Sequence, residues 1–385
     1  MFTLMIAFGD IFGLGGSSVI SRLLGEKKDN EAKKTCAFCI WVSLVFGLCI
    51  SAILLLFRTQ ILGLLGVSKV TYEYANAYYT WIAIGAVSII FSMVPSNILR
   101  TEGLAVQSMA GSIIGSIVNI IFDPIFIFGL NQGAAGAAMA TVLGNIIADI
   151  YYVYAVIKKS KRLTCSPSHM KITGRRVKDI LMIGIPASIT NIMQTFMMVM
   201  TNNFLLPYGT DKVAAMGIAL KVNMITALVL VGFAFGGQPL VGYNYGAGEY
   251  DRVKKITHTS MGLIALVMVM GMAISCAIPQ QLMGLFTTSR ATMEIGGAAL
   301  RIISFGFVVS SVSVTFSGVL EGLGKGMPSL LISLARYIVV MLPVSFALSR
   351  LLQASGVWYG FAVTEYIVAV LSYYIYKFHM RDIKG

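Results

Sequence analysis

Charge is what this chain has least of. Asp, Glu, Lys and Arg make up only 12% of its 385 residues, where an ordinary soluble domain carries about a quarter. Histidine is almost missing: His169, His258 and His379 are scattered through loops. Of five cysteines, Cys36 and Cys39 stand at half-metal-site spacing, but no second Cys or His pair accompanies them. Small apolar residues on a helix are the plainer reading. There is no nucleophile motif, and GLGKG at 322–326 only imitates a phosphate-binding loop. These scarcities argue against an enzyme, a metal site or a bound cofactor.

What the chain does have is oil. It is 57% hydrophobic with a mean hydropathy of +0.82, and its apolar runs are long enough to cross a hydrocarbon core roughly 30 Å thick. The fold class expected is an all-α polytopic membrane protein. Eleven spans are predicted, at 1–22, 36–57, 74–98, 109–130, 134–157, 180–206, 213–243, 256–278, 296–319, 329–349 and 355–378. A net charge of +13 could suggest a nucleic-acid partner, but its placement says otherwise. Loops on one side hold 21 basic residues, eight of them from Lys158 to Lys178 and the last Lys384. Loops on the other hold five: Arg58, Lys69, Lys212, Arg290 and Arg350. The positive-inside rule makes the richer side cytoplasmic, facing anionic headgroups. The partners are the lipid bilayer and no nucleic acid.

The sequence also repeats. GGSSVISRLLGEKKDNEAKK (15–34) lies on GGQPLVGYNYGAGEYDRVKK (236–255) at an offset of 221 (236 − 15), which also carries Leu99, Gly103 and Ser108 onto Leu320, Gly324 and Ser329. GAAGAAMAT and GVWYGFAVT match at an offset near 224. Two homologous helical bundles follow: an N-terminal lobe at 1–157, a cytoplasmic basic linker at 158–179 that would act as a joint, and a C-terminal lobe at 180–385. The partner of the helix at 180–206 would fall before residue 1. The expectation is therefore about 5 + 6 spans here, with the first lobe incomplete and a longer twelve-span chain as the functional form.

QPLVGYNYGAGEYDRVKK (238–255), EGLAVQSM (102–109), NIIFDPIFIFG (119–129) and the first-half GGSSVISRLLGEKKDNEAKK together resemble the multidrug and toxic compound extrusion (MATE) transporters. Within them, PYGTDKVAAMGIA (207–219) is most similar to bacterial drug exporters of the Firmicute type. The resemblance implies a twelve-helix (6 + 6) antiporter in the bacterial plasma membrane, a monomer that expels organic cations by alternating access in exchange for inward H⁺ or Na⁺.

The residues supply a candidate engine. Asp123 sits inside an apolar run, where a carboxylate costs roughly 2.5–3.5 kcal/mol on insertion scales. Asn119 is one turn away on the same face, and Pro124 deprives the carbonyl of Ile120 of its usual donor. These oxygens suit Na⁺, or a carboxyl poised for a proton; the bland alternative is a helix–helix bond beside a bend. The resemblance adds Thr141 and Tyr78 to Asn119 and Asp123 as the coupling set, and puts a further acid on a first helix outside this chain. In the second half, Gln194 aligns with a glutamate of other branches, and glutamine carries no proton.

Other polar residues mark faces within spans. Asn191, Gln194, Thr195, Met198 and Asn202 recur at three- and four-residue steps on a Met-rich helix, facing either a substrate cleft or a neighbouring helix. Asp10 is a candidate for cation or substrate contact. Asp149 is either the same or a helix–helix partner, and Glu365 could attract cationic substrates. Lys221, Arg301 and Arg336 would pair with such acids, while Glu102 and Glu321 would be solvated in cytoplasmic turns. The glycine-rich turns around Gly15 and Gly236 read as hinges. Two other functions stay open: a lipid or lipid-linked-sugar flippase, disfavoured by the few basic residues available to line a cleft, and a truncated product without transport.

Overall fold

The computed structural model describes residues 1–64, 67 and 71–381; Lys69 and Lys384, counted above among the loop charges, lie outside the described residues. The elements are helices throughout: α1 Phe2–Gly25, α2 Asp29–Leu56, α3 Arg58–Leu64, α4 Tyr72–Thr101, α5 Ala105–Pro124, α6 Gly133–Lys158, α7 Gly174–Leu205, α8 Thr210–Gly246, α9 Tyr250–Ala277, α10 Pro279–Gly284, α11 Arg290–Gly322, α12 Gly326–Leu334, α13 Met341–Leu352 and α14 Ala354–Arg381. Eleven helical stretches among the described residues are long and apolar enough to span a bilayer, matching the eleven spans expected. Large apolar side chains such as Leu56, Phe128 and Leu351 stand about three-quarters exposed. A soluble protein avoids such patches, but hydrocarbon accepts them, and helices satisfy their own backbone there.

Two spans are broken inside. After Pro124, α5 widens into a π-helix, Ile125–Gly129, with Leu130 N–H donating to the Ile125 carbonyl. Between α12 and α13 a second π-helix covers Ala335–Val340. Pro343 follows it in α13, and a proline both withholds its N–H from the carbonyl four residues back and crowds it. That carbonyl belongs to Val339, within the π segment. The glycine-rich stretches read as turns are helical throughout, in the body of α1 and in the last third of α8.

The repeat is sharper in the structure than in the sequence. α1 ends at Gly25 and α8 at Gly246; α2 spans 29–56 and α9 250–277; α4 ends at Thr101 and α11 at Gly322. Each pair differs by 221. The same offset joins the left-handed residues Lys27 and Gly248, and Gly103 and Gly324. It also joins the starts of α6 and α14, Gly133 and Ala354, so the offset near 224 read from the apolar motifs there is not the register the helices keep. Small apolar residues match at several shifts; helix ends do not.

The chain divides into two compact units, Met1–Ser188 and the remainder from Ile189, with the division inside α7. In the first, α4 is the central helix, packed against α1, α2 and α6, with α5 on α6. In the second, α11 takes that place among α8, α9 and α14. The basic stretch after α6, read above as a joint, is tied to the first unit. Trp41 Nε1 donates to the Cys165 carbonyl at 2.9 Å, and Arg162 reaches Asp29 at 2.5 Å. Glu102 accepts from the Ser160 hydroxyl and, at 2.7 and 2.8 Å, from the backbone N–H groups of Lys161 and Arg162. It is an anchor, not a solvated turn residue.

The seam between α5 and α6 is made by missing side chains. A Cβ on Gly115 would lie 2.9 Å from the Gly144 carbonyl oxygen, one on Gly144 would lie 2.5 Å from that of Gly115, and one on Gly111 would strike the Tyr152 ring. Close backbone approach of this kind is how helices associate in lipid. It also sets Asn119, one turn along from Gly115, against α6. Gly144→Ala is therefore expected to destabilise the protein by about 1–3 kcal/mol through overpacking, read as a lower midpoint of thermal unfolding in detergent; an unchanged midpoint would show that the seam gives way freely.

Candidate functional site

Asn119 on α5 and Thr141 on α6 meet across that seam: Asn119 Nδ2 donates to Thr141 Oγ1 at 3.3 Å. Thr141 Oγ1 in turn donates to the Ala137 carbonyl at 3.0 Å. Asp123 follows Asn119 by one turn and is half-buried. Its Oδ1 is enclosed without a hydrogen-bond partner, and among the described residues it makes no ion pair. Tyr78 is not brought into this group. It is 42% exposed on α4 and, among the described residues, forms no hydrogen bond with Asn119, Asp123 or Thr141. Its neighbour Tyr79 is the buried one, donating to the Leu54 carbonyl at 2.8 Å.

The polar chain continues beyond these residues. Thr141, Asn145 and Asp149 are spaced by four on α6, so they line one face. Asn145 Nδ2 donates to the Thr141 carbonyl at 2.8 Å. Ser92 Oγ on α4 donates to Asp149 Oδ1 at 2.6 Å and lies 3.4 Å from Asn145 Oδ1. Ser88 Oγ donates to Asp149 Oδ2 at 2.5 Å. Asp149 is therefore bonded between helices, one of the two roles the sequence left open. Ser88, Ser92 and Asn145 are the members that sequence reasoning missed. The four-residue steps Ser88–Ser92–Ser96 and Thr141–Asn145–Asp149 were the available signal.

The remaining candidates fall in different places. Asp10 is 4% exposed within α1, where it interacts electrostatically with Arg100. Asn191 and Asn202 are half-buried on α7 and Gln194 and Met198 exposed. Asn202 Oδ1 is enclosed without a partner, and Thr195 donates to the Asn191 carbonyl at 3.2 Å. Asp10 belongs to the first unit and these α7 residues to the second.

In the second unit the counterpart of Ser92 is Ser313, 221 residues on, and its surroundings differ. Arg336 pairs with Glu365 at 3.0 Å, both largely enclosed, and also donates to the Ser313 hydroxyl. Glu365 is consequently neutralised within the protein, which corrects its reading as an electrostatic lure for cations. Arg301 pairs with no acid among the described residues; its Nε donates to the Cys276 carbonyl at 3.3 Å. Glu321 is not simply solvated either, since it accepts from Ser329 Oγ at 2.8 Å.

Eleven apolar helices among the described residues, arranged as two repeated bundles, define a polytopic membrane protein of transporter architecture. The family model MatE matches residues 1–125 and 186–347, and the chain belongs to that family. It is 29% identical over 375 residues to the multidrug export protein MepA of Staphylococcus haemolyticus (strain JCSC1435), covering 97% of this chain and 82% of that one. It is 27% identical over 382 residues to MepA of Staphylococcus aureus (strain NCTC 8325 / PS 47), covering 99% and 84%. Among solved structures, a multidrug resistance MATE family transporter of the MOP superfamily in an outward-facing conformation superposes with a TM-score of 0.96 at 25% identity, over 100% of this chain and 86% of that one. A MATE in complex with MaL6 gives 0.95 at 25% identity, over 100% and 87%. The protein is a multi-pass protein of the bacterial cell membrane.

Removing one member of the Arg336–Glu365 pair strands a guanidinium inside the protein. Glu365→Leu should cost about 3–5 kcal/mol, and adding Arg336→Met should restore much of the loss. Thermal unfolding of both variants in detergent checks this; a double variant no more stable than the single one would contradict the pairing account.

Proposed function

We propose that the chain is a secondary active multidrug exporter, expelling cationic amphiphilic compounds in exchange for H⁺ or Na⁺ by alternating access of its two lobes. In this reading it acts as a monomer and needs no cofactor beyond the coupling ion. The observation that carries the reading is the enclosed, unpartnered Oδ1 of Asp123, one turn from the Asn119–Thr141 hydrogen bond. A carboxylate held in an apolar span without a permanent counter-charge is tolerated where a mobile cation visits it. The names of the relatives, multidrug export proteins at 27–29% identity over almost the whole chain, support export of drug-like compounds. On α7 the exposed Met198 and Gln194 offer an adaptable apolar wall with polar contacts, which suits varied ligands.

The coupling step then needs only two facts about Asp123. Its charged form is costly in hydrocarbon, so the carboxylate takes up a cation when open to the outside and releases it when open to the cytoplasm. The ion gradient supplies the free energy, and the ion's differential affinity for the two states couples it to outward movement of the substrate. Asp123→Asn, in a form of the protein that exports a fluorescent dye, is expected to abolish efflux driven by imposed Na⁺ or pH gradients. Measuring the two gradients separately in vesicles identifies the ion, and full efflux by Asp123→Asn would overturn the assignment.

A further inference from the structure

Asp149 is a second intramembrane carboxylate that the exporter reading leaves unused. It lies nine residues before Lys158, the last residue of α6, hence roughly 14 Å along the helix from that end. Its hydrogen-bonded neighbours are Ser88 and Ser92. The charged groups of the helices around it, Glu73 and Arg100 on α4, Asp123 on α5 and Lys158 on α6, form no ion pair with it among the described residues. Its carboxyl is therefore held by two hydroxyls and, among the described residues, by no charged partner.

Five oxygens converge there: Asp149 Oδ1 and Oδ2, Ser88 Oγ, Ser92 Oγ and Asn145 Oδ1, linked by separations of 2.5, 2.6 and 3.4 Å. Carboxylate, hydroxyl and amide oxygens are the ligand set of a hard cation. A proton would need only one carboxylate oxygen and leaves the rest of the set unexplained. One negative charge matches a monovalent ion, whereas a divalent one would leave net positive charge in hydrocarbon. Hydroxyl groups donate one proton but keep two lone pairs, so both serines can turn from the carboxylate to an arriving ion. We propose that Asp149, Ser88, Ser92 and Asn145 form a second Na⁺ site in the first unit, joined through Asn145 to the Asn119–Thr141 pair. The proposal rests on the exporter reading only in supposing that a coupling cation moves through this unit.

The test is equilibrium binding of radioactive sodium to the purified full chain in detergent at fixed pH. Asp123→Asn is expected to retain a sodium site, and Asp149→Asn added to it should weaken that site by about tenfold or more. Ser88→Ala with Ser92→Ala, which leaves the carboxylate in place, should weaken it by a similar factor and decides the matter if Asp149→Asn does not fold. Sodium binding by Asp123→Asn that neither change alters would overturn the proposal, as would its complete loss in Asp123→Asn alone. Uptake of protons without sodium at Asp149 would overturn it too. Failure of the Asp123 assignment shows up separately, as dye efflux that survives Asp123→Asn while sodium binding still falls in the Asp149 and Ser88/Ser92 variants.

Discussion

A carboxylate in hydrocarbon has no water to solvate it, so the protein must supply the solvent from its own side chains, and the packing must allow those side chains to arrive. That constraint organises the first unit. The glycine seam at Gly115 and Gly144 brings α5 onto α6, and α4 presents Ser88 and Ser92 to the same face of α6. Asp149 is solvated by hydroxyls as a result, while Asp123, just beyond the hydrogen-bonded Asn119–Thr141 pair, keeps one enclosed oxygen unserved. The two acids share a scaffold and differ in how completely the scaffold answers them.

The second unit repeats the scaffold and solves the electrostatics differently. Ser96 and Ser108 lie 3.1 Å apart and their counterparts 221 residues on, Ser317 and Ser329, 2.6 Å apart. Yet Arg100 donates to Ser108 at 3.1 Å, whereas Glu321 accepts from Ser329. One duplicated serine pair thus serves a cation in one lobe and an anion in the other, since a hydroxyl can play either part. At Ser92 and Ser313 the contrast deepens: a carboxylate without a counter-charge stands against a closed Arg336–Glu365 pair. Duplication preserved the helix ends and the small polar contacts between helices, and let the charges diverge.

Much of this was legible before any coordinates. Low charge and long apolar runs gave the eleven spans, and the 221-residue offset gave two bundles. The i,i+4 spacing puts Asn119 and Asp123 on one helical face, and family resemblance adds Thr141, which is hydrogen-bonded to Asn119. Tyr78, which the resemblance also adds, stands apart on the exposed side of α4, while its neighbour Tyr79 is turned inward to the Leu54 carbonyl. Glu102, Glu321 and Glu365 were misread for a related reason. Whether an acid is solvated or anchored depends on what the next helix, or a loop some sixty residues away, places beside it.

The sequence alone determined what can be fixed by local composition and period: the medium the chain lives in, the number of crossings and the internal duplication. Those follow from transfer free energies summed over about twenty residues, so no single contact can change them. Tertiary structure alone decided the pairing of charges and hydroxyls across α4, α5 and α6, because helix rotation and glycine-permitted approach act over an ångström or two and leave almost no trace in a one-dimensional pattern. In this protein the site is made of those pairings, so its full membership becomes visible only when the helices are set side by side.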